Sequence, residues 1–160
     1  MNKRKIAKLL LGVLAVAVVI LFLVNRPVKV LLPSTLLDNE GSEVSSDALK
    51  GKYVGLYFSA SYCPACHDFT PLLIDFRNQH AEEFEVVLIS SDRSPLHQAR
   101  YVKEFEMPWL AAKNQSEAAI QISEQLEVEM IPRLVVLDPD GNVVSEAGVT
   151  QMRYFYGDAL

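Results

Sequence analysis

The rhythm of hydrophobic and polar positions changes several times along the chain. Residues 9–24 are sixteen successive positions without a charge. With Ile6, Ala7 and a snorkelling Lys8 the run reaches nineteen, enough to span a thin bilayer. Beyond it the runs shorten. Residues 35–38 predict a short strand, residues 39–43 a turn, and residues 44–49 a short strand or turn. Residues 53–60, Tyr-Val-Gly-Leu-Tyr-Phe-Ser-Ala, are a nearly unbroken apolar stretch and predict a buried strand. Phe69, Leu72, Leu73 and Phe76 then repeat at helical spacing, which predicts a helix from just after Cys63 to about His80. Pro71 is expected to kink this helix rather than end it.

The same reading continues to the C-terminus. Residues 84–89 predict a second buried strand, residues 95–105 a helix opened by Pro95, and residues 107–110 an apolar loop. A helix over residues 115–126 turns Ala118, Ala119, Ile122 and Leu126 inward. Residues 133–138 predict a strand that returns through a turn at Pro139-Asp140-Gly141-Asn142, with Gly141 free to take positive φ, to Val143 and Val144. A last helix is expected within residues 150–160. Alternation of strand and helix argues for parallel pairing in the middle of the sheet, and the Gly141 turn for an antiparallel pair at its end. The domain boundaries expected are residues 1–26 for a basic tip and membrane anchor, 27–34 for a linker with Pro27 and Pro33, and 35–160 for one α/β domain.

Charge sharpens the picture of the leader. Residues 1–26 hold five basic groups (Lys3, Arg4, Lys5, Lys8 and Arg26) and no acid, which leaves ten basic and twenty acidic residues, a formal charge near −10, for the rest. The basic cluster ahead of the apolar run holds the N-terminus in the cytoplasm and sends the domain across the membrane. The small-x-small site Ala15-Val16-Ala17 is followed at once by seven more apolar residues, which argues for an uncleaved anchor over a signal peptide. The expected location is the cytoplasmic membrane, single-pass, with the domain periplasmic or otherwise outside the cytoplasm. The acidic domain repels nucleic acid, so no nucleic-acid partner is expected.

The chemistry concentrates at Cys63 and Cys66, the only cysteines in the chain. They stand at Cys-x-x-Cys spacing where a strand gives way to a helix. Pro64 at the first helical position loses no hydrogen bond by lacking an N–H. Free N–H groups at a helix start and the helix dipole both favour a thiolate on Cys63. Cys66, one turn in, is expected to be the more buried, so Cys63 is the attacking sulfur and Cys66 the resolving one. A purely structural disulfide would close too short a loop to stabilise much. A zinc site lacks two further ligands, since His80 and His97 have no paired spacing. Cys63-Pro64-Ala65-Cys66-His67 also matches the c-type haem pattern, with His67 as axial ligand and Met107 or Met130 as a second.

Several ordered motifs carry a family resemblance over about residues 52–144. Tyr57-Phe58-Ser59-Ala60-Ser61-Tyr62-Cys63-Pro64-Ala65-Cys66, Phe69-Thr70-Pro71, residues 85–92, Met107-Pro108-Trp109-Leu110-Ala111 and Met130-Ile131-Pro132 resemble the tryparedoxin and nucleoredoxin branch of the thioredoxin superfamily. The leader resembles that of membrane-anchored periplasmic thioredoxin-like proteins. The resemblance implies an α/β, three-layer thioredoxin-like fold with a central mixed sheet, preceded by one transmembrane helix. It implies a cis bond at Ile131-Pro132, in a loop that faces the dithiol and pairs with extended substrates. Substrate contacts are then expected from Tyr62, Pro64, Ala65, Ile131 and Pro132. Trp109 reads as core packing. The chain departs from the family with Tyr62 in place of Trp, Pro-Ala between the cysteines, and Tyr57 where many thioredoxins carry a buried acid.

The function expected is thiol–disulfide exchange on protein or peptide disulfides, with no cofactor and no metal, and with a membrane electron donor as partner. No Lys or Arg lies between Lys52 and Arg77. The Cys63 pKa is therefore expected only moderately below about 8.5, with a reducing rather than a strongly oxidising potential. A haem c electron carrier and a non-catalytic binding module on the same fold are the alternatives.

Overall fold

In the computed structural model of the chain, which describes residues 28–151, the elements follow the hydrophobic runs closely. Strand β1 (Thr35–Leu37) and β2 (Glu43–Ser45) lead through a 3-10 turn, Ser46–Leu49, into β3 (Tyr53–Ser59). Helix α1 (Pro64–Gln79), β4 (Phe84–Ser90), α2 (Pro95–Glu104), β5 (Leu110–Ala111), α3 (Glu117–Gln125), β6 (Arg133–Leu137) and β7 (Val143–Ser145) follow. Helix α1 runs through Pro71 without ending there. Ser94 and Ser116 cap α2 and α3, their side chains accepting from the N–H groups of His97 and Ala119. Each cap satisfies a backbone donor that the helix itself leaves unpaired.

The strands form one mixed sheet in the order β2-β1-β5-β4-β3-β6-β7. Strand β3 pairs parallel with β4, and β4 parallel with β5. On its other side β3 pairs antiparallel with β6, as Phe58 opposite Arg133 and Val54 opposite Leu137 show. Both faces of β3 and β4 are covered, which is why these strands read as unbroken apolar runs rather than alternating ones. On one face Leu56, Phe58, Val87, Ile89, Val135 and Leu137 pack with Ala119, Ile122 and Leu126 at α3. On the other, Tyr57, Val86, Leu88 and Leu134 pack with Phe69 and Leu73 of α1 and with Tyr101 and Val102 of α2. Trp109 is buried in this second layer, edge-on to Tyr57, as core packing requires.

Four expectations change. Leu110 and Ala111 are not loop but a two-residue strand, held because Ala111 sits between Leu88 and Leu37. Ala118 is only half-buried, while Ala119 and Ile122 point inward. The first part of the expected linker belongs to the sheet edge. Val30 is buried and its N–H donates to the Gly141 carbonyl oxygen at 2.9 Å, while Val143 N–H donates to the Val28 carbonyl oxygen at 2.8 Å. Gly141 has φ +85, and a Cβ there would come within 2.9 Å of the Val30 carbonyl oxygen, so the turn and this close approach both require glycine. The last helix starts earlier than expected, residues 148–151 being helical, and its continuation lies outside the described residues. The apolar run at 9–24 also lies outside them. Among the described residues no helix is long and apolar enough to cross a membrane.

Candidate active site

Strand β3 delivers Cys63 to the start of α1. Cys63 is the N-cap, with extended backbone (φ −100, ψ 105), and Pro64 follows in the first turn. The Cys66 N–H donates to Cys63 Sγ at 3.2 Å. Cys63 Sγ therefore receives the hydrogen bond that a capping oxygen usually accepts, in the field of the helix N-terminus. Cys63 keeps 8% of its surface exposed and Cys66 none. The two are joined as a disulfide, with Cα atoms 5.2 Å apart. The arrangement is that of a pair whose outer cysteine is slightly exposed and whose inner one is fully sheltered.

The Ile131–Pro132 bond is cis. The Ile131 carbonyl oxygen lies 3.8 Å from Cys63 Sγ, so the loop before β6 faces the disulfide. Tyr62, Pro64 and Ala65 are exposed beside Cys63, and Ile131 and Pro132 are half-buried. Tyr62 is anchored only loosely, its hydroxyl donating to the Ser91 carbonyl oxygen at 3.5 Å. Met130, 80% exposed, stands next to Ile131.

Beneath Cys66 lies a chain of buried hydroxyls. Thr70 Oγ1 donates to the Cys66 carbonyl oxygen at 2.8 Å, a bond back along the helix. The Tyr57 hydroxyl lies 2.9 Å from Thr70 Oγ1 and 3.2 Å from the same carbonyl oxygen. Tyr101 continues the chain, 3.0 Å from Thr70 Oγ1 and 2.9 Å from Ser59 Oγ. Burial, and secondarily the neighbouring Tyr101, raise the Tyr57 pKa well above the ordinary phenol value. Tyr57 is thus a neutral hydrogen-bonding group and does not act as a base near neutral pH.

The loop between β3 and α1 is held from two sides at Ser61. The buried Asp92 accepts through Oδ1 from Ser61 N–H at 3.0 Å and from Ser61 Oγ at 2.6 Å. Its Oδ2 accepts from Ser90 Oγ at 2.8 Å. His67 Nε2 donates to the Ser61 carbonyl oxygen at 2.7 Å, and its ring stacks on Tyr101 with Phe105 edge-on. Sequence reasoning missed Ser61, Asp92, Thr70 and Tyr101. The available signal was Asp92 just beyond the carboxyl end of a buried strand, where α/β sheets commonly build sites.

The residues present do not fit a covalent haem. An axial imidazole needs an open approach, and the His67 ring is packed between α1 and α2 with Nε2 already donating. Met107 is fully buried in the core.

The comparisons with known proteins agree with this geometry. Residues 51–143 match the family model described as thioredoxin-like. The chain is 36% identical over 127 residues to nucleoredoxin of Mus musculus, covering 77% of this chain and 29% of that protein. It is 40% identical over 119 residues to tryparedoxin of Trypanosoma brucei brucei, covering 72% of this chain and 81% of that one. Among solved structures, native tryparedoxin I from Crithidia fasciculata superposes with a TM-score of 0.69 at 40% identity, over 76% of this chain and 85% of that one. A thioredoxin from Wuchereria bancrofti superposes with a TM-score of 0.73 at 34% identity, over 82% and 93%. The chain spans less than a third of the nucleoredoxin it matches. It belongs to the thioredoxin-like family, and Cys63 and Cys66 are its redox-active pair.

Proposed function

We propose that this protein is a membrane-anchored thiol–disulfide oxidoreductase that reduces or isomerises protein disulfides outside the cytoplasm. The observation that carries the exchange chemistry is Cys63 Sγ at the N-cap of α1, accepting the Cys66 N–H and facing the Ile131 carbonyl oxygen. In the reductive direction the Cys63 thiolate attacks one sulfur of a substrate disulfide. The new S–S bond joins Cys63 to the substrate, and the leaving thiolate takes up a proton. Cys66, deprotonated, then attacks Cys63 and releases the second substrate thiol. The dithiol thus gives up two electrons and two protons and ends as the Cys63–Cys66 disulfide.

Tyr62, Pro64 and Ala65 border the substrate on one side of Cys63, and Ile131 and Pro132 on the other. An extended segment pairs there with the backbone of the loop, which gives affinity without strong sequence demand. Recharging the disulfide in an oxidising compartment calls for a membrane electron donor. The anchor and the location rest on the apolar run at 9–24 behind Lys3, Arg4 and Lys5.

Trapping with Cys66→Ala in the native host tests the reading, because mixed disulfides through Cys63 should accumulate with protein partners. Their absence, together with no exchange on a model disulfide, leaves a binding module. A reporter fused after Leu160 should be active only outside the cytoplasm. A midpoint of about −120 mV, the value of a strong oxidant, overturns the reducing direction.

A further inference from the structure

Asp92 takes no part in the exchange steps, yet it is fully buried and accepts two hydrogen bonds from the active loop. Both bonds reach Ser61, two residues before Cys63, at 3.0 Å from the amide and 2.6 Å from the hydroxyl. Ser90 Oγ supplies the third donor at 2.8 Å. Among the described residues no Lys, Arg or His forms an ion pair with Asp92, so hydrogen-bond donors alone balance its charge. The residue is itself anchored, because Ser90 Oγ accepts its N–H, and Asn114 Nδ2 and Gln115 Nε2 donate to its carbonyl oxygen.

We propose that Asp92 is a positioning and charge-tuning residue for the Cys63–Cys66 couple: it fixes the loop through Ser61, and its buried carboxylate opposes negative charge on Cys63, which makes the couple a stronger reductant. This inference rests on the exchange function proposed above. The physical argument has two parts of opposite sign. The helix N-terminus stabilises the Cys63 thiolate. A like charge buried nearby disfavours it, and low-dielectric surroundings strengthen that effect. A less stable thiolate means a less stable reduced form, and so a more reducing couple. The other charged groups around the sulfur are weaker influences. Asp68 of α1, Arg93 beside Asp92 and Glu129 before the cis-proline loop are exposed to water, and Arg133 is paired with Glu146. His67 holds the far side of Ser61 through its carbonyl oxygen.

A purely structural role makes a different prediction. If Asp92 only braced the loop, its loss would loosen the Cys63 cap and make the thiolate harder to form. Asp92→Asn separates the two, since Oδ1 remains to accept from Ser61 while the charge is gone. With the full-length protein in detergent, the pH dependence of iodoacetamide alkylation reports Cys63 ionisation. Equilibration against glutathione buffers reports the dithiol–disulfide equilibrium. Asp92→Asn should raise the acid constant of Cys63 three- to tenfold and shift the equilibrium toward dithiol by the same order, up to about 30 mV for tenfold. An unchanged or lowered acid constant overturns the proposal. Should that variant not fold, Asp92→Ser removes the charge with a smaller neutral side chain. Cys63 should again ionise at lower pH, and an unchanged or higher value overturns the proposal. Both readouts need no protein substrate, so a wild-type protein inert toward disulfides refutes the exchange function while leaving this test intact.

Discussion

Cys63 Sγ lies 3.8 Å from the carbonyl oxygen of Ile131, a residue 68 positions further along the chain. The contact joins the N-terminus of α1 to the loop that enters β6, and Cys63 is the less buried of the pair, 8% exposed against none for Cys66. In the reduced state Cys63 should therefore react first. Iodoacetamide should modify Cys63 at least about tenfold faster than Cys66, by its larger thiolate fraction and its exposure. Cys63→Ser should abolish exchange, and Cys66→Ser should retain attack but stall as the mixed disulfide. Peptide mapping after brief labelling checks the order, and preferential modification of Cys66 reverses the roles.

Tyr57→Phe removes one hydroxyl from the chain beneath Cys66 and leaves Thr70 Oγ1 and the Cys66 carbonyl oxygen with one partner fewer. Loss of such a buried bond costs about 1–3 kcal/mol at neutral pH. The pH dependence has a definite sign. Tyr57 has a folded-state pKa raised above its ordinary 10.0, so its neutral form stabilises the fold fully below that pH. As the pH rises through and beyond about 10, the unfolded chain loses the phenol proton while the folded chain keeps it, and wild-type stability falls. The difference between wild type and Tyr57→Phe should therefore shrink in alkali. Urea titrations at neutral pH and above pH 10 measure it, and a constant difference contradicts the assignment.

Gly55 lies in the middle of β3, and a Cβ there would stand 2.7 Å from Phe84 Cζ and 3.0 Å from Leu134 Cδ1. Both neighbours are buried side chains of the layer packed beneath α1 and α2, with little room to retreat. Gly55→Ala should destabilise by about 1–3 kcal/mol through overpacking. Thermal melts should show a lower midpoint, while exchange per folded molecule stays near wild type because the site lies at the other end of β3. A neutral or raised midpoint means that Phe84 moves aside freely.

Arg77 near the end of α1 makes a two-pronged contact with Glu85 of β4, through Nε at 2.8 Å and through Nη2. The side chains are 20% and 10% exposed, so neither partner is well solvated alone. Glu85→Ala should cost about 3 kcal/mol by leaving the guanidinium unpaired, whereas Arg77→Met with Glu85→Leu should cost less, because no charge is stranded. A double-mutant cycle in urea measures the coupling, and additive losses show that the pair is solvated after all.

Local features of the fold are legible in the amino-acid sequence. The unbroken apolar runs of β3 and β4, the helix beginning at Pro64, the turn at Gly141 and the more exposed position of Cys63 all follow from neighbours within a few residues. Periodicity and turn chemistry act over that range, so a single chain displays them. They are enough to say which segments are strands and helices, and where the reactive sulfur stands on its helix. Long-range packing sets the rest. It makes β6 run antiparallel to β3, turns Leu110 and Ala111 into a strand between β4 and β1, and extends the sheet edge past Gly141 with Val28 and Val30. It also brings Asp92 to Ser61 and Tyr101 to Thr70, 31 positions away in each case. Hydroxyls and single carboxylates have no period of their own along a chain. Their partners are set by the register of strands and the packing of helices, and both arise from contacts between segments distant in sequence.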